Sequence, residues 1–256
     1  MVPFLYSHPL HLRRSEMAPI RTYSKWNTRP DNDKEQIEPY RRYYFICEGA
    51  NTEKWYFEKL IDLRKDLSIR SQIDIVYLEK TEEHTHLSDP EKLIEFADSQ
   101  KDSGEISFDK KFDKMIVVFD ADVFEKEKHD YDRIVEKGLQ RNILGITNPS
   151  FELFLLLHYE NSVDEIILPN CADIIKNEWV ILPSGRKRFI NNLFIQTSGM
   201  NPKRNSDIAI WAIDVLTAIE QEKRLNNDIR LAKGQLTSNI GNIISTIIKD
   251  QGDNCQ

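Results

Sequence analysis

Four short apolar runs, each leading into a stretch of helical periodicity, leave this 256-residue chain few folds to adopt. The runs are "YYFIC" from Tyr43, "IDIVYL" over 73–78, "KMIVVFD" over 114–120 and "NILGIT" over 142–147. They alternate with "TEKWYFEKLIDLRKDL", "SDPEKLIEFADSQ", "KEKHDYDRIVEKGLQ" and "PSFELFLLLHYE". Trp55, Tyr56, Leu60 and Leu63 fall roughly on one face of the first of these helices. Ser88 or Asp89 as N-cap, with Pro90 in the first turn, starts the second. The alternation predicts an α/β fold with a mostly parallel sheet flanked by helices. "KMIVVFD", nearly all apolar, is expected near its centre. Right-handed crossovers then bring the strand C-terminal ends to one edge, where open α/β sheets hold their sites.

Outside that alternation the chain changes character. Residues 1–40 are polar, mildly basic and interrupted by prolines at 3, 9, 19, 30 and 39. They read as a flexible basic arm. Residues 41–160 carry the strands, and 161–256 read as a mainly helical extension packing on them. In that extension Ile208, Trp211, Ala212, Val215, Leu216 and Ile219 form one stripe, and "LTSNIGNIISTIIKD" is expected to be a closing helix. No apolar run is long enough to span a membrane, and no secretory leader is recognisable. Cys47, Cys171 and Cys255 suit neither a disulfide framework nor a zinc site, and a reducing cytoplasm is expected. A net charge of -7 argues against a simple electrostatic nucleic-acid binder. It does not argue against an enzyme that meets phosphates through bound cations.

The acids at the strand exits are the chemical signal. Glu48 follows "YYFIC", with Gly49 allowing a close turn, and "VVFDADVF" puts Asp120 and Asp122 two apart just as the third strand ends. In extended geometry two acids at i and i+2 face the same way and repel unless a cation separates them. Glu53 opens a helix, where an acid also suits the helix dipole. Ser150 and Glu152 open another, where a cap and a first-turn acid account for them equally well. As a set these oxygen ligands suit a hard divalent ion, Mg²⁺ or Mn²⁺. Two such ions about 3.5–4 Å apart can clamp the attacking and leaving oxygens of a phosphodiester displacement.

"ICEGANTEKWYF", "VVFDADVF" and "ITNPSFELFLLLHYE", in this order, resemble the RloB-like family. The Glu-Gly strand exit and the DxD resemble the TOPRIM domain of topoisomerases, primases and OLD-type nucleases. The closing "QLTSNIGNII" is similar to the family's ending, so the resemblance covers roughly residues 40–250 and leaves the arm unexplained. It implies a TOPRIM-like core with Glu48 as metal ligand or general acid–base group, and Asp120 and Asp122 as the metal-binding pair. Glu53, Ser150 and Glu152 match groups that help hold a second metal in OLD-type enzymes. Such nucleases also set a basic residue against the transition-state charge. Lys187 in "SGRKRF" is the candidate, followed by Arg186, Arg188 and Lys203, although a solvated basic turn explains "RKR" as well.

The expectation is therefore a Mg²⁺- or Mn²⁺-dependent nuclease with two ions, cutting DNA or RNA (tRNA included) as an effector of bacterial antiphage defence. The resemblance further implies an ABC- or AAA-type ATPase partner. The rival reading is a non-catalytic nucleotide-binding or regulatory subunit of such a complex. His84, His86, His129 and His158 are read as surface or packing residues, and Trp55, Phe151, Phe154 and Trp211 as core aromatics.

Overall fold

The apolar runs pair side by side in the computed structural model, which describes residues 40–80, 89–124, 128–183 and 185–251. The proposed arm over 1–39, His84, His86, Ser88, Cys255 and the side chain of His129 lie outside what is described. Strands β1 (Arg41–Cys47), β2 (Ile73–Tyr77), β3 (Lys114–Asp120) and β4 (Ile143–Asn148) form a parallel sheet. A fifth strand, β7 (Thr237–Ser238), joins β4 antiparallel, giving the order β2-β1-β3-β4-β7. The expected closing helix is thus shorter than "LTSNIGNIISTIIKD". Thr237 and Ser238 complete the sheet edge before α8 (Ile240–Lys249) begins.

Side-chain alternation along β1 and β3 separates two apolar layers. Tyr43, Phe45, Cys47, Ile116 and Val118 face one core, and Tyr44, Ile46, Met115, Val117 and Phe119 the other. The second core is closed by α2 (Pro90–Ser103) and α3 (Lys128–Leu139). The first is closed by α1 (Thr52–Asp62), α4 (Phe151–Leu156) and the C-terminal helices, and it runs without a break from Tyr43 to Ile247. Within it the Tyr56 hydroxyl donates to His158 Nε2 at 2.9 Å, while His158 Nδ1 faces the carbonyls of Phe154 and Leu155. That geometry puts the proton on Nδ1 and makes His158 a packing residue. Burial holds its pKa down to about 4. No helix among the described residues is long and apolar enough to cross a membrane.

Local chemistry explains the boundaries. Asp89 caps α2 by accepting from the N–H groups of Glu91 and Lys92, Pro90 occupies the first turn, and Gly104 ends the helix at φ +76°. Two C-terminal features depart from the helical expectation. "WVIL" and "GRKR" pair as an antiparallel hairpin, β5 (Trp179–Leu182) with β6 (Gly185–Arg188), between α5 (Cys171–Lys176) and α6 (Phe189–Ser198). Ser206–Asp214 is a 3-10 helix leading into α7 (Val215–Glu222). Its tighter winding breaks the expected stripe: Ile208, Ala212, Val215 and Ile219 are buried, but Leu216 is 57% exposed.

Candidate functional site

The chain runs from β1 outward to β2, then returns past β1 to β3, so the strand order reverses between β1 and β3. In open α/β sheets the crevice outside the carboxyl ends at such a reversal is where ligands bind. Glu48 and Asp120 stand on its two sides. The ladder continues one residue past β1, because Glu48 N–H donates to Val118 O at 2.8 Å. Asp120 N–H in turn donates to Glu48 Oε2 at 3.2 Å, so the acid at one strand exit is held by the backbone of the next.

The other acids close on this pair. The carboxylate of Glu53, in the first turn of α1, lies over Gly49, where a Cβ would come within 1.9 Å of its oxygen. A side chain at 49 would therefore displace the carboxylate four residues further along. Thr147 Oγ1, at the end of β4, donates to Asp120 Oδ1 at 2.7 Å. Ser150 occupies the N-cap position of α4 but does not cap it: its hydroxyl donates to Glu152 Oε2 at 2.5 Å. Asn191 of α6 donates to the other oxygen, Glu152 Oε1, at 2.9 Å. Asp122 differs from the extended reading. Strand geometry stops at Asp120, and Asp122 begins a 3-10 turn over Asp122–Phe124, its N–H bonded to Pro149 O. The turn still leaves Asp122 near enough for its charge to act on Glu48 and Asp120.

Electrostatics show how crowded the acids are. Burial, then the charges of Glu53 and Asp122, push Glu48 up to about 7. Burial raises Asp120 well above the usual carboxylate range, and Glu53, Glu48, Glu152 and Asp122 add to the effect. Glu53 is raised by burial and by Glu152. Glu48, Glu53, Asp120, Asp122 and Glu152 thus form one mutually repelling group, with Ser150 hydrogen-bonded into it.

Two lysines answer that charge. Asn51 Nδ2 donates to Lys203 O at 3.2 Å and Thr52 Oγ1 to Pro202 O at 2.8 Å, docking the 202–203 segment on the start of α1. Glu152, followed by Asp120, Glu53 and Asp122, raises the Lys203 ammonium above its ordinary pKa despite partial desolvation. Lys80, beyond β2, donates to the carbonyl of Glu48, and its charge also acts on Glu48 and Glu53. Lys203 is the last of the four basic candidates that the sequence offers; Lys80, Thr147 and Asn191 are not among its candidates. Lys80 could have been found as a cation just past a strand exit on the same edge, whereas Asn191 has no sequence signal. Lys187 pairs with Val180 across the hairpin, and among the described residues its ammonium makes no ion pair or hydrogen bond. "RKR" is a strand here, not a solvated turn: Arg186 and Arg188 both lie over the Trp179 ring, 4.6 and 4.7 Å from its centroid.

The profile of the family described as RloB-like protein matches residues 43–247, which takes in every acid of the group. The chain belongs to the RloB-like family. No curated protein and no solved structure matches it. Among the described residues of this RloB-like chain, no three His, Cys, Asp or Glu side chains already form a metal-ligand set. The donors are nonetheless all oxygen, chiefly carboxylate, and the raised pKa values of Glu48, Glu53 and Asp120 record burial and crowded negative charge. A donor set of that chemistry fits a hard divalent cation.

Proposed function

We propose that this RloB-like protein is a TOPRIM-type nuclease that hydrolyses phosphodiester bonds of DNA or RNA with Mg²⁺ or Mn²⁺. The observation that carries the reading is the convergence of Glu48, Glu53, Asp120, Asp122 and Glu152 on the strand-order reversal, with two lysines at its rim. Bound cations would supply positive charge for the phosphate oxygens and lower the pKa of a reacting water. Glu48, Asp120 and Asp122 would hold the first ion, and Glu53, Ser150 and Glu152 a second. Thr147 fixes one Asp120 oxygen, while Asn191 and Ser150 each hold one oxygen of Glu152, so both carboxylates are oriented before an ion arrives. Lys203 replaces Lys187 as our choice for the cation facing the transition-state charge, because its ammonium already stands among the carboxylates. Without an ion beside it, Glu48 holds or releases a proton near neutrality, and a bound cation would favour its ionised form. On the family resemblance we extend the proposal to an effector of antiphage defence in the bacterial cytoplasm, working with an ABC- or AAA-type ATPase.

The test is incubation of the purified chain with plasmid, single-stranded DNA and total tRNA in Mg²⁺, Mn²⁺ or chelator. Cleavage should require the cation and disappear in Glu48→Gln/Asp120→Asn. Cleavage surviving in that double variant would reject the site. No cleavage of any substrate, with the ATPase supplied, would favour a nucleotide-binding regulatory subunit.

A further inference from the structure

Behind the Asp120–Asp122 turn lies a cavity of about 350 Å³ that the acid group does not use. Ala121, the residue between the two aspartates, forms part of its wall with Phe124, Tyr131 and Ile175. Polar groups enter from Asn148, Lys176, Glu178 and Lys233. Lys233 is the anomaly. Its Nζ is buried and has no hydrogen-bond partner among the described residues. A buried ammonium without a partner is unfavourable, and folded chains rarely keep one without a use for it. A second orphan donor, Asn177 Nδ2, belongs to the residue between the lining residues Lys176 and Glu178.

The turn that carries Lys233 is fixed from several sides. Asn148 Nδ2 donates to Ala232 O at 2.7 Å and to Gln235 O at 2.9 Å. The Tyr131 hydroxyl donates to Ile229 O at 2.5 Å, and Gly234 takes φ +74°, which lets the chain reverse directly after the lysine. Asn148 ends β4 and Tyr131 belongs to α3, so two core elements hold the lysine in place. Holding in a preformed cavity a cation that no described group pairs is how a protein prepares to receive an anion.

We propose that this cavity is a phosphate subsite, in which Lys233 Nζ binds a phosphoryl oxyanion of a nucleotide unit whose remaining atoms rest against Phe124, Tyr131 and Ile175. The inference deepens the nuclease reading and rests on it for the identity of the ligand. The nucleotide belongs either to a strand crossing the acid group or to a free mononucleotide, and both offer the same phosphate chemistry.

Calorimetric titrations in excess chelator separate the two sources and keep the acid group's cations out of the measurement. The probes are inorganic phosphate, adenosine 5′-monophosphate and a short oligothymidylate. At least one should bind the wild type and the Glu48→Gln/Asp120→Asn variant alike. Lys233→Met should weaken that binding about ten- to a hundredfold, the loss expected for one charge-assisted hydrogen bond. Lys233→Arg should recover part of it, and Lys223→Met, at an exposed residue just past α7, should leave it unchanged. Without any probe, Lys233→Met should melt no lower than the wild type, since it removes a buried charge that no described group pairs. Binding of the oligonucleotide alone assigns the subsite to a substrate strand; binding of the monophosphate assigns it to a free nucleotide. Equal affinity in Lys233→Met and the wild type, or no binding of any probe, overturns the proposal. Lost binding with intact cation-dependent cleavage removes the subsite alone, and intact binding without cleavage removes the nuclease reading alone.

Discussion

Glu48 and Asp120 are adjacent strand-exit acids whose burial and mutual repulsion favour the protonated form. The linkage has a definite sign. The folded chain keeps a proton on Glu48 up to about pH 7, whereas the unfolded chain releases it near 4.5. Its contribution to stability is therefore fully present below about pH 4.5 and is lost as pH rises through about 7. His158 works the other way, its contribution being present above 6.5 and lost as pH falls through about 4. The informative measurement is the difference between wild type and Glu48→Gln in urea midpoint across pH 4 to 8 without divalent ions. Glu48→Gln should gain on the wild type as pH rises, and Mn²⁺ should raise the wild-type midpoint more than the variant's. A difference independent of pH would contradict this account. Gly49 tests the same group by packing. The three atoms nearest a Cβ there all belong to the flexible end of Glu53, so Gly49→Ala should keep the fold and displace the carboxylate. Its melting temperature should stay close to wild type while its stabilisation by Mn²⁺ falls. Unchanged Mn²⁺ stabilisation would remove Glu53 from the site.

Between elements, the most exacting contact is the buried Glu222 at the end of α7. One carboxylate oxygen accepts from Ser238 Oγ at 2.5 Å and Gly241 N–H at 2.9 Å, and the other from Asn242 N–H at 2.7 Å. It supplies the cap that Asn239 does not provide for α8, and negative charge at that helix start also favours the dipole. The fit is close: a Cβ on Gly241 would come within 2.8 Å of Glu222 Oε2 and 3.2 Å of the Ile219 Cα. Glu222→Ala leaves buried donors unpaired and should cost about 2–4 kcal/mol, read from urea unfolding. A loss below about 0.5 kcal/mol would mean that water replaces the carboxylate without penalty.

Over the whole molecule, the C-terminal segment is structural rather than an appendage. It supplies the fifth strand, and Ile240, Ile243, Ile244 and Ile247 of α8 are buried in the core beneath β4. At about 1.5–3 kcal/mol per buried isoleucine these four contribute about 6–12 kcal/mol, as much as a typical domain's net stability. A chain truncated after Lys223 should therefore be aggregated or molten, as read by near-ultraviolet circular dichroism and size-exclusion chromatography. A monomeric, cooperatively melting truncation would refute that dependence. Gly145 in β4 belongs to the same contact, since a Cβ there would lie 2.8 Å from Ile240 Cδ1.

The parallel sheet, its flanking helices and the placing of Glu48 and Asp120 at strand exits could all be read from the chain, because periodicity and apolar runs are local signals. So could the cap of α2, which is written in three consecutive residues. The hairpin over 179–188 was missed because its strands are short and half exposed, and so lack a strong pattern. Lys203 stood last among the basic candidates and Asn191 was not one of the site residues, since they reach the acids only through the docking of the 202–203 segment on α1 and the packing of α6 beside α4. Local order along a polymer sets which side chains leave a strand together; which distant lysine or amide meets them depends on how the layers stack. The sequence alone decided the α/β sheet and its acidic edge, whereas the tertiary structure decided the cations facing that edge, the cap on α8 and the cavity around Lys233.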